Sequence, residues 1–133
     1  MILVDSSVLI DLIEKTPEWF DWTTQALFDA SQRDQLGINA LVYAEIARTF
    51  AGAAKQNEFI TSCGIQYLHI PPAAAHAASV AHRAYRSAGG NRAATLPDFF
   101  IGAHAAVEGF TLMTRDAKRI STYFPSVPTL SPR

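Results

Sequence analysis

Met1-Ile2-Leu3-Val4-Asp5-Ser6-Ser7-Val8-Leu9-Ile10-Asp11 is the stretch that decides the fold. Four large apolar residues follow one another without alternation, two of them β-branched. A strand needs that composition only when both its faces are covered, which is the situation of a parallel strand. Asp5 stops the run. Ser6 and Ser7 can then cap a helix whose apolar positions are Val8, Leu9, Leu12 and Ile13. A buried strand that passes straight into a helix is the opening of a βαβ unit.

The rest of the chain repeats that alternation. Thr16-Pro17-Glu18 suggests a second helix with Thr16 as cap and Pro17 in its first position, carrying Trp19, Phe20, Trp22, Ala26, Leu27 and Ala30 at helical spacing. A strand is expected at 36–38, a helix at about 40–50, a break at Gly52 and a short helix at 55–62. Residues 65–70 are strand-like and closed by Pro71-Pro72; 73–87 are Ala-rich and helical, ended by Gly89-Gly90. After a polar loop at 91–95 come a helix at 97–108, a strand at 110–113, a helix at 116–122 and a strand at 127–130. The expectation is one α/β domain over 1–133, a mostly parallel sheet of about four to five strands with helices on both faces. In such sheets function gathers at the carboxyl ends of the strands.

Of the 133 residues, 49% are hydrophobic and 17% charged, too apolar a mixture for a disordered chain. The lone Cys63 excludes a disulfide framework and a Cys-based metal site. Asp5, Asp11 and Glu14 interrupt the first apolar run, which argues against a membrane span, and the lack of early Lys or Arg argues against a signal peptide. A soluble cytoplasmic protein with no membrane partner is expected. The net charge of −1 conceals a division, because all but four of the twelve acids precede Arg48 and all but two of the eleven bases lie at or beyond it. Such a division suits an anionic partner or two halves that attract each other.

Four acids sit in apolar company. Asp5 ends the first strand, and Glu45 lies among Leu41, Val42, Tyr43, Ala44 and Ile46. Asp98 precedes Phe99-Phe100-Ile101, and Asp116 follows the strand at 110–113. The other eight are more easily read as solvated. Each of the four also has a purely structural explanation: Asp98 and Asp116 as first-turn or capping acids, Glu45 paired with Arg48, Asp5 bonded to the amides of Ser7 or Val8. If the strands ending at Asp5 and Asp116 are neighbours, the carboxylates converge. They would then repel one another unless a cation intervenes. An oxygen-only donor set without paired His or Cys suits Mg²⁺ or Mn²⁺, and points to metal-dependent hydrolysis of a phosphodiester.

The order of these motifs resembles the PIN-domain family, and within it the VapC toxins of toxin–antitoxin pairs. The resemblance rests on Val4-Asp5-Ser6-Ser7-Val8-Leu9-Ile10-Asp11, on Asn39–Glu45 with Ala44-Glu45, on Leu96-Pro97-Asp98-Phe99-Phe100-Ile101, and on Leu112-Met113-Thr114-Arg115-Asp116. It implies a PIN-like α/β/α sandwich and a pocket that binds Mg²⁺ or Mn²⁺ and cleaves RNA, with tRNA or another structured RNA as a candidate substrate. Carried over by position, Asp5, Glu45, Asp98 and Asp116 are the acidic quartet. Asp5 and Asp98 are first choices for direct metal contact, and Glu45 and Asp116 act directly or through water. Ser6 stands where many relatives have Thr, and Thr114 resembles the hydroxyl residue before the fourth acid. The resemblance also implies a cognate antitoxin partner and a homodimer.

Arg92 and Arg115, close in sequence to the proposed pocket, are the candidates to hold RNA phosphates. His69, His76, His82 and His104 lack metal-site spacing and are assigned no chemistry. Two other readings stay open beside the nuclease: a catalytically silent PIN-like binding module, and a receiver-type phosphoacceptor domain. The receiver requires an acidic pair after the first strand and an acid after a central one, whereas Asp5 is followed by Ser6 and 65–70 ends in proline. If the quartet converges, Asp98→Asn should abolish cleavage and, without metal, raise the melting temperature by removing repulsion.

Overall fold

The computed structural model describes residues 1–90 and 95–132. Among these, β1 (Ile2–Val4) leads into α1 (Ser6–Glu14), then α2 (Phe20–Arg33), β2 (Leu36–Ile38) and α3 (Ala40–Ile46). A 3-10 turn at Ala47–Thr49 precedes α4 (Ala53–Ser62), β3 (Ile65–Tyr67) and α5 (Pro72–Ser87). The chain closes through α6 (Leu96–Glu108), β4 (Thr111–Met113), α7 (Ala117–Tyr123) and β5 (Thr129–Leu130).

All strand pairings are parallel, in the order β3-β2-β1-β4-β5. The α/β class and five-stranded parallel sheet are therefore as the alternation of elements implies. β1 and β2 are buried along their whole length, as apolar runs demand of strands covered on both faces, whereas the edge strand β3 exposes Gln66 and Tyr67. The core joins Leu3 and Val4 to Val8 and Leu9 of α1, Val42 and Ile46 of α3, and Leu112 and Met113 of β4. Among the described residues no helix is long and apolar enough to cross a membrane.

The chain fills the sheet outward on one side of β1, then returns to fill the other. The order therefore reverses between β1 and β4, whose register pairs Val4 with Met113. The crevice beyond the carboxyl ends of two such strands is where open α/β sheets place their sites. Asp5 and Thr114 are the first residues past those ends. Two more links hold the walls of the crevice. Asn39 caps α3 through its Oδ1, which accepts from the amides of Leu41 and Val42, and its Nδ2 donates to Nδ1 of buried His104 on α6 at 3.1 Å. Buried Phe99 in the first turn of α6 stacks edge-on or tilted against His82 and Tyr85 of α5 and against Tyr123 and Phe124 at the end of α7.

Several boundaries differ from the sequence expectation. Thr16-Pro17 does not start α2, because a turn comes first, closed by the amides of Trp19 and Phe20 on the Thr16 carbonyl at 3.0 and 2.9 Å. The helix expected over 40–50 ends at Ile46 and tightens into the 3-10 turn. β3 stops at Tyr67, short of the prolines, and Pro72 is the first residue of α5, where its missing N–H has no intrahelical role. Gly109 ends α6 in the left-handed conformation at φ 73°, and Asp116 lies just outside α7 as its cap.

Candidate active site

Asp5 is placed by three groups. Its Oδ1 accepts from the Ser6 amide at 2.8 Å, capping α1, and its Oδ2 accepts from the hydroxyls of Thr114 at 2.8 Å and Ser7 at 3.1 Å. Parallel register sets Thr114 beside Asp5, and Thr114 Oγ1 in turn accepts from the Asp116 amide at 3.1 Å. Burial pushes the Asp5 carboxyl above the ordinary carboxylate range; the three hydrogen bonds oppose that shift, and the Asp98 charge adds to it.

Glu45, on α3, accepts the Ser6 hydroxyl on its Oε1 at 2.8 Å. Ser6 Oγ lies 3.5 Å from Asp5, so its single proton belongs to Glu45, and Ser6 joins the two acids through its amide and hydroxyl. Burial also raises the Glu45 carboxyl; the Ser6 bond opposes this, and the charges of Asp5 and Asp98 reinforce it. The charge of Asp98 thus acts on both Asp5 and Glu45, and that of Asp5 on Glu45.

Asp98 and Asp116 are held differently. Asp98 Oδ2 accepts from the Thr95 amide at 2.7 Å and the Thr95 hydroxyl at 3.1 Å, one half of a capping box at the start of α6. The same oxygen lies 3.6 Å from a terminal nitrogen of Arg119, whose other terminal nitrogen is 3.0 Å from Asp116 Oδ2. Asp116 Oδ1 accepts from the Arg119 amide at 3.3 Å, capping α7. The capping roles read from sequence for Asp98 and Asp116 therefore coexist with their shared contact to Arg119. The quartet divides into an inner pair, Asp5 and Glu45, joined by Ser6, and an outer pair, Asp98 and Asp116, joined by Arg119. Among the described residues no three acidic, His or Cys side chains stand close enough together to cage an ion as they are arranged.

Arg115 does not lie free along the rim. Its Nε is 2.9 Å from Asp11 Oδ2, its guanidinium covers the Trp19 ring at 5.2 Å, and its amide donates to Ser7 Oγ at 3.4 Å. Arg92 lies outside the described residues. His104 is a buried structural residue, and burial lowers its pKa.

Three residues that contact this arrangement do not stand out in the sequence: Asp11, Thr95 and Arg119. Asp11, which reads as a solvated acid in the sequence, is only 1% exposed. The signal was available, since Ile10 and Leu12 flank it as closely as apolar residues flank the other four. Thr95 stands three residues before Asp98, the spacing of a capping box. Arg119 stands three residues after Asp116, within reach on one helix face, but nothing local indicates that it also reaches Asp98.

Comparison with known proteins follows the same outline. A toxin–antitoxin complex from Klebsiella pneumoniae contains a chain of TM-score 0.72 and 20% identity, covering 100% of this chain and 98% of that one. VapBC-1 from nontypeable Haemophilus influenzae matches at TM-score 0.72 and 16% identity, covering 98% of each chain. Mycobacterium tuberculosis VapC20, described as a sarcin–ricin loop cleaving toxin, matches at TM-score 0.62 and 14% identity, covering 84% of this chain and 85% of its own. These likenesses show a shared fold. A comparison with curated proteins finds no match. Residues 2–124 match the PIN domain over nearly the whole chain, and this protein belongs to the PIN-domain family.

Proposed function

We propose that the protein is an endoribonuclease dependent on Mg²⁺ or Mn²⁺, the toxin of a toxin–antitoxin pair. The observation that carries this reading is a half-buried, hydroxyl-braced Asp5 at the reversal point of the sheet, joined to Glu45 through Ser6 and within the field of Asp98. Donor chemistry fits a hard divalent ion: every candidate ligand is a carboxylate oxygen, and among the described residues no cation pairs with Asp5 or Glu45. Asp5, Glu45 and Asp98 would hold the ion, with Asp116 acting directly or through water. When bound, it would polarise a phosphoryl oxygen and acidify a water.

The chain's own groups have separate tasks. Thr114 and Ser7 hold the Asp5 carboxylate in one rotamer, and Ser6 does the same for Glu45. Glu45 accepts one hydrogen bond where Asp5 accepts three, and is therefore the better placed of the two inner acids to accept a proton from an attacking water. One neighbouring structure is a toxin–antitoxin complex, which supports a small antitoxin as partner, and a homodimer goes with that reading. Arg115 and Arg92 remain the candidates for RNA phosphates, Arg115 only through its terminal nitrogens. A second reading, a PIN module that binds partners without turnover, is favoured by one observation: Arg119 already occupies Asp98 and Asp116.

Incubation with structured RNAs, in Mn²⁺ or in chelator, followed by end mapping, separates the two. Discrete cuts bearing 5′-phosphates in the Mn²⁺ arm alone are expected; RNA left intact in both arms would select the silent module.

Binding of the ion is expected to be coupled to protons. Both inner acids sit above their ordinary values of 3.8 and 4.5. In the metal-free protein, their contribution to stability is therefore full below those values and lost as pH rises through the raised ones. A divalent ion needs both ionised and reverses the sign. The rise in melting temperature produced by Mn²⁺ should grow over the interval from pH 4.5, the higher of the two ordinary values, to neutrality. A rise that is the same at both ends of that interval would place the ion away from Asp5 and Glu45.

A further inference from the structure

We propose that Arg119 is a built-in competitor for the divalent ion, holding Asp98 and Asp116 until the ion displaces it and so setting the affinity of the site. The inference rests on the reading of the pocket as an ion site and adds a residue to it.

Arg119 is one-third exposed, and its guanidinium spans two carboxylates from different elements, the first turn of α6 and the cap of α7. Its backbone is fixed at the same place, since its amide donates to Asp116. Among the described residues the inner acids have hydroxyl and amide partners only, whereas the outer acids have a cation. Asp98 is the link between the halves, because its charge acts on both Asp5 and Glu45 while its Oδ2 is shared between Thr95 and Arg119. An ion that draws Asp98 toward the inner pair must take that oxygen from Arg119. Two cations cannot share the oxygen without repelling, so occupation by one weakens the other by the same factor.

The test is the affinity for Mn²⁺ alone, by titration calorimetry, of the full chain and three variants. Arg119→Gln should bind roughly tenfold more tightly than the wild type. Arg119→Lys, with one ammonium for two carboxylates, should fall between them. Lys118→Gln makes the same change in net charge at an exposed neighbour, and should stay within about twofold. Circular dichroism confirms that each variant is folded. Equal affinity in Arg119→Gln and wild type, or an equal gain in Lys118→Gln, would overturn the competitor role while leaving the ion site intact. An absence of binding in every protein would overturn the ion site and this inference together.

Discussion

Asp5→Asn is expected to lose divalent-dependent RNA cleavage by roughly a thousandfold, about 4 kcal/mol of transition-state stabilisation, with little change in fold stability. The geometry lets these two effects be separated. Asn keeps an Oδ1 to accept the Ser6 amide, and Asn is as good a helix cap as Asp. The hydroxyls of Thr114 and Ser7, which donate to Oδ2, can rotate to accept from the new amide instead. A charge that burial already disfavours is removed, together with its repulsion of Glu45 and Asp98. The structural consequence should therefore lie within about 1 kcal/mol of the wild type. Loss of this charged donor is a different matter, since Asp5 is the carboxylate that follows β1 directly and takes the Thr114 hydroxyl at the end of β4. Cleavage measured on one RNA, beside a thermal melt in chelator, checks both halves. A variant that retains a tenth or more of wild-type cleavage would remove Asp5 from the reaction.

What could be read in advance follows from where the physics is local. A strand covered on both faces must be apolar at every position, so β1 and β2 show in the residues themselves. An acid ending such a strand is equally visible, and Asp5 stands out in the sequence for that reason. Pairing between distant segments leaves no such mark. Asp98 illustrates this. The sequence offers either a helix cap or a rim carboxylate, and the structure has both, with Arg119 added. Consequently the expectation that Asp98→Asn raises the melting temperature loses its basis. Relief of repulsion is set against the loss of an ion pair and a weaker capping box. The start of α2 differs from the sequence expectation because Thr16-Pro17 fits a helix start as well as it fits the turn that the Trp19 and Phe20 amides close.

The other large effect lies beneath the pocket rather than in it. Arg115→Met is expected to destabilise the protein by about 3 kcal/mol, lowering the melting temperature by about 10 °C. Asp11 is 1% exposed, and its Oδ2 has no aligned hydrogen bond, so the guanidinium at 2.9 Å is its compensation through charge. Removing one partner of such a pair strands the other where water cannot reach it. The Arg115 side chain is 36% exposed, which moderates the cost, and loss of its contact with Trp19 adds about 0.5–1 kcal/mol. The reverse change is milder, because in Asp11→Asn the partly exposed guanidinium can turn toward solvent. The double variant should recover about 2 kcal/mol of the Arg115→Met loss, since it leaves no stranded charge. Denaturant unfolding of the four proteins supplies the cycle. If Asp11→Asn proved the costlier single change, the contact would owe its worth to something other than the burial of Asp11. The same clamp bears on the site: Arg115 lies between Thr114, which braces Asp5, and Asp116, and its amide donates to Ser7. Weakening it should loosen the loop after β4 and lower the affinity for Mn²⁺, in the direction opposite to the gain expected of Arg119→Gln.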